Sequence, residues 1–87
     1  MELRSADGGA SVILSTVGEG RRVRLLTVCG GHGLAARLAA MGLAPGAEVV
    51  VVQNSGRGPL LLAVRHARIA VGRGMAHKIR VSTNSEP

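Results

Sequence analysis

Four side chains in this sequence have metal-ligand chemistry: Cys29, His32, His66 and His77. Cys29 and His32 stand in a C-x-x-H spacing, which supplies two corners of a zinc site. His66 and His77 lie on other segments, and only a small, tight fold would bring them near. There is no second cysteine, and no carboxylate lies close in sequence. The competing reading is an ordinary buried thiol with surface histidines. The spacing does not complete a ligand set, so no metal site and no cofactor are expected.

Catalysis finds little material. Glu2, Asp7 and Glu86 lie near the ends, leaving Glu19 and Glu48 in the middle of the chain. No carboxylate pair and no nucleophile with an adjacent base stands out. The expectation is a protein that is not an enzyme. Gly30-Gly31-His32-Gly33 before a helix has the look of a phosphate cradle. It lacks the Gly-x-x-x-x-Gly-Lys-Ser/Thr pattern that reaches the phosphates. Val71-Gly72-Arg73-Gly74-Met75 is no closer. Both read as turns and caps.

The remaining chemistry is that of contact. Arg21, Arg22, Arg24, Arg37, Arg57, Arg65, Arg68, Arg73, Lys78 and Arg80 spread over every segment. Arginine pairs bidentately with carboxylate and phosphate. A solvated polar face is the plain reading, and an acidic protein or an anionic membrane surface is the functional one. Leu34, Leu43, Leu60, Leu61 and Leu62 exceed what one face of each element can bury. The best-patterned surface runs along Leu34, Arg37, Leu38, Met41, Leu43 and Pro45, and a partner is expected to bind there.

These residues sit in a chain of 87, with no Phe, Tyr or Trp, one Cys, 13 Gly and a formal net charge of +6. One cysteine excludes an internal disulfide scaffold. No apolar run approaches the roughly 18 residues of a membrane span. No signal-peptide pattern opens the chain, so the expected compartment is the cytoplasm. The absence of aromatics weighs against single-stranded nucleic acid as partner, because bases stack on such rings.

The elements that must position these groups follow from period and punctuation. Residues 1–12 read as a flexible tail, 13–81 as one domain, and 82–87 as a second tail. Arg21–Cys29 alternates, with Val23 and Leu25 opposite Arg22 and Arg24, and predicts a strand. Leu34, Leu38 and Met41 fall at i, i+4 and i+7, which predicts a helix over 33–41. Gly42 stands at its left-handed cap, and Pro45-Gly46 fills a type II turn. Strands follow at Glu48–Gln53, Leu60–Arg65 and Arg68–Val71. One helical turn covers Gly72–His77, and Lys78–Val81 is a last strand. Five short strands with one helix favour a small, partly open barrel. The strand Lys78–Val81 is the edge on which a second copy could pair.

Two blocks carry a resemblance. Arg37-Leu38, Met41-Gly42-Leu43 and Pro45-Gly46 form the first. Ile69, Ala70, Val71, Arg73, Ala76, Ile79 and Val81 form the second. Together, in this order and spacing, they resemble the ferrous-iron transport protein A (FeoA) family. The resemblance runs from about Leu14 to Val81. It implies a mainly β, SH3-like barrel with an inserted helix. It also implies a small cytoplasmic accessory protein of bacterial ferrous-iron uptake. Its implied partner is the FeoB-type transporter, which carries a cytoplasmic G-protein domain. The same barrel recurs at the C-terminus of iron-dependent repressors. Two other readings stay open: a basic barrel that binds nucleic acid, and a metal-responsive domain related to those repressors.

Overall fold

The structure, a computed structural model, describes residues 11–83. Six strands form one antiparallel sheet: β1 (Ser11–Ile13), β2 (Arg22–Val28), β3 (Glu48–Gln53), β4 (Leu60–Val64), β5 (Ala67–Val71) and β6 (Ile79–Ser82). Two helices interrupt it, α1 (Gly31–Ala40) and α2 (Arg73–Ala76). The spatial order is β1-β6-β2-β3-β4-β5.

The alternation read from the sequence is what folds the sheet. Val23 and Leu25 of β2 are buried while Arg22 and Arg24 are exposed. Leu60 and Leu62 of β4 are fully buried, and Leu61 between them is half-buried on the other face. Ile79 and Val81 of β6 both point inward. All these side chains join one core with Val49, Val51, Val64 and Val71. One small helix cannot cover the inner face of six strands, so the sheet wraps on itself. Bulges help it bend, one in β2 between Leu25 and Thr27 and one in β3 between Val51 and Gln53. β1 and β5 do not pair, and the barrel stays open there.

Three expectations need correction. The sheet has six strands, not five. Ser11 and Val12, expected in a tail, pair with Ser82 and Val81. The domain therefore takes in residues on both sides of 13–81, and the tails expected at 1–10 and 84–87 lie outside the described residues. β1 is only three residues long and its partner is almost 70 residues away, so no local pattern announces it. Its presence also means that β6 is not an edge. It lies between β1 and β2, so no second copy can pair on Lys78–Val81.

A 3-10 turn (Leu14–Thr16) follows β1 and drives Leu14 into the core. Arg73, at the start of α2, ties this turn to the loop 54–59. Its Nη2 donates to Asn54 Oδ1 at 2.7 Å and its Nε to the Gly58 carbonyl at 3.0 Å. Asn54 Nδ2 donates to the carbonyls of Ser15 and Val17. The Ser15 hydroxyl lies 2.6 Å from His77 Nδ1. Three non-adjacent segments are thus held by one polar network at the foot of the barrel.

Candidate partner-binding surface

The six residues expected to meet a partner do not share one surface. Leu38 and Leu43 are 0% and 1% exposed and belong to the core. The reason is the way α1 ends. Leu43 N–H donates to the Leu38 carbonyl, and Gly42 N–H to that of Ala39, both at 2.9 Å. This is a Schellman motif, in which the residues at its two ends, here Leu38 and Leu43, pair apolar side chains. Gly42 and then Gly46 hold φ of 92° and 93°, the left-handed region that glycine enters freely. The Ala47 N–H closes the Pro45-Gly46 turn on the Ala44 carbonyl. Gly46 and Ala47 in turn bond the backbone of Leu25 in β2. Pro45 is exposed on that turn.

Leu34, Arg37 and Met41 remain accessible. Leu34 is half-buried, Arg37 exposed, and Met41 42% exposed, because the chain leaves the helix at Met41. Leu34 and Arg37 open onto a groove of about 480 Å³ between α1 and α2. Met75 completes its apolar lining, Lys78 adds a second cation, and Gly30, Gly33 and Gly74 form the rest of its wall. Gly30 permits the closest approach. A Cβ there would lie 2.6 Å from Leu34 Cδ2 and 3.4 Å from Lys78 Cδ. At Gly33 and Gly74 a Cβ would meet nothing within 4 Å. Among the described residues, neither the Arg37 nor the Lys78 side chain has an ion-pair or hydrogen-bond partner. Glu48 is occupied by Arg24 at 2.8 Å, and Glu19 accepts from the Asn54 N–H.

Sequence reasoning missed the α2 side of this groove. Met75 and Lys78 read as part of a turn and a strand, and only the fold brings them opposite Leu34 and Arg37. The exposed Leu26, the extra residue of the β2 bulge, was missed for the same kind of reason.

The metal-ligand candidates do not converge. Among the described residues, no three of His, Cys, Asp and Glu gather at one place. Cys29 is exposed, contrary to the buried thiol expected, because β2 ends at Val28 and the chain turns outward toward α1. His32 and His66 are exposed on α1 and on the β4–β5 hairpin. His77 is committed to Ser15. Among the described residues, no helix is long and apolar enough to cross a membrane.

The family model of the FeoA domain matches residues 12–83. This chain belongs to the FeoA family. It is 36% identical over 63 residues to a Methanocaldococcus jannaschii protein named as an Fe(2+) transport protein A, covering 72% of this chain and 76% of that one. A crystal structure of FeoA, described as an iron uptake regulatory protein, aligns at a TM-score of 0.79 and 34% identity, covering 84% of this chain and 97% of that one. The zinc complex of Stenotrophomonas maltophilia FeoA aligns at 0.68 and 29%, over 78% and 86%. That protein is described as a procaryotic SH3 domain protein. The half-open barrel of this FeoA chain is accordingly SH3-like, as expected.

Proposed function

We propose that this protein is a cytoplasmic accessory factor of ferrous-iron uptake. It binds the cytoplasmic part of a FeoB-type transporter and acts by contact, shifting the population of the transporter's states without chemistry of its own. The observation that carries this reading is the groove beside α1. It combines apolar side chains with cations that have no side-chain partner among the described residues, in a chain whose family serves iron transport. The S. maltophilia relative, named as a candidate activating factor for ferrous-iron transport, supports the same reading.

The test is a binding measurement between the intact chain and the soluble G-protein domain of the cognate transporter. It is run with GDP and with a GTP analogue, and repeated with the solubilised whole transporter. Saturable binding that Arg37→Glu weakens about tenfold or more supports the proposal, since charge pairs at interfaces carry energies of this order. No binding to either form of the transporter, in any nucleotide state, overturns it.

A further inference from the structure

The groove between α1 and α2 has a chemistry more specific than a general contact surface. Its lining combines two apolar side chains, Leu34 and Met75, with two cations, Arg37 and Lys78. Methionine adapts its shape to an incoming side chain. At about 480 Å³ the groove is far too small for a folded domain and large enough for one or two side chains. Gly33 and Gly74 leave its wall without side chains, so a partner's backbone can come close to this one. Gly33 is notable because glycine inside a helix costs roughly 0.5–1 kcal/mol against alanine, and here no side chain occupies the space its Cβ would fill. The charge is equally one-sided. Within residues 11–83 ten cations face two carboxylates, and both carboxylates are already engaged.

We propose that this groove takes an acidic segment of a partner protein, seating one leucine-sized side chain between Leu34 and Met75 while flanking carboxylates meet Arg37 and Lys78. Gly30 shapes this wall, because a Cβ there would stand 2.6 Å from Leu34 Cδ2 and 3.4 Å from Lys78 Cδ, so any larger residue would shift Leu34 from its place in the lining. The proposal rests on the adaptor reading above for where the segment comes from, but not for what the segment is.

The test titrates the intact, isotope-labelled protein with a blocked decapeptide of Glu and Asp carrying two central Leu residues, followed by amide resonances. The largest shifts are expected at Leu34, Arg37, Met75 and Lys78. Replacing both peptide leucines with Gln, or all its acids with Gln and Asn, is expected to weaken binding at least tenfold. Gly33→Leu and Gly74→Leu fill open space, so both should fold and both should lose the peptide. Met75→Glu is a second blocking variant that adds no bulk to the wall. Shifts centred elsewhere, or equal binding of the uncharged peptide, overturn the proposal. So does binding to vesicles containing 30% phosphatidylglycerol with none to the peptide, which makes lipid the ligand. The same variants are then tried on the transporter domain. Domain binding that Gly33→Leu leaves intact removes the groove and keeps the adaptor. Peptide binding with no domain binding keeps the groove and removes that partner.

Discussion

Arg73 is spent on bonds inside the fold. Its guanidinium reaches Asn54 Oδ1 and the Gly58 carbonyl with two different nitrogens, a fork that no other side chain reproduces. Arg73→Ala leaves Asn54 Oδ1 with only the Gly56 N–H and the exposed Gly58 carbonyl with water, and losing two hydrogen bonds from a charged donor costs about 1–3 kcal/mol. In a domain of this size that lowers the melting temperature by roughly 4–8 °C for each kcal/mol. Arg73→Lys keeps the charge and is expected to recover less than half of the loss. Thermal unfolding followed by circular dichroism decides it, and a lysine variant as stable as the original refutes the role of the fork. Leu38 has the same standing inside the core. Leu38→Ala should cost about 2–5 kcal/mol, as buried leucines do. A binding defect in a Leu38 variant would therefore report unfolding. Arg37, exposed beside Leu38 and without a carboxylate partner among the described residues, is the residue of that block whose loss reports on contact.

At the scale of elements, the end of α1 and the β4–β5 hairpin make opposite use of the left-handed region. Gly42 holds φ of 92° with Val64 Cγ1 3.4 Å from where a Cβ would stand. Gly42→Ala therefore costs about 1–2 kcal/mol of backbone strain, read as a lower urea midpoint with an unchanged slope. The two-residue hairpin Arg65-His66, between the paired Val64 and Ala67, instead places an arginine at φ of 57°. Arg65→Gly is expected to hold or raise the midpoint, since glycine relieves that strain; a clear fall would show that the Arg65 side chain stabilises the turn. These elements also mark what the sequence could tell. The helix, its glycine cap, the Pro45-Gly46 turn and the alternation of β2, β4 and β6 are local patterns, and each was legible. β1 was not, because three residues hold no period and its pairing with β6 spans the chain. Leu38 and Leu43 were read as surface because helical spacing says which residues share a face, not what that face meets. Half of the groove stayed hidden for the same reason, since nothing local sets Met75 and Lys78 opposite Leu34.

The whole molecule adds an effect that no single site explains. Residues 11–83 measure 38 × 29 × 24 Å and carry ten cations against two carboxylates. The Debye length is about 30 Å at 10 mM salt and about 8 Å at physiological ionic strength. In dilute salt an acidic partner therefore feels the charge of the entire barrel. Near 150 mM it feels only the face it approaches. Association should then slow by about tenfold or more between these conditions, the range that electrostatic steering covers, while dissociation changes little. Two groups of variants separate the contributions. Arg57→Glu and Arg68→Glu lie outside the groove and should slow association at 10 mM but hardly at 150 mM. Arg37→Glu and Lys78→Glu should speed dissociation at both, because each removes a contact made in the complex. Stopped-flow or surface-based kinetics with the transporter's G-protein domain measures both constants. If Arg68→Glu speeds dissociation as much as Arg37→Glu does, the interface extends to β5 and the groove is only part of it. If all four variants slow association alone, the cations steer the partner and the apolar pair Leu34 and Met75 holds it.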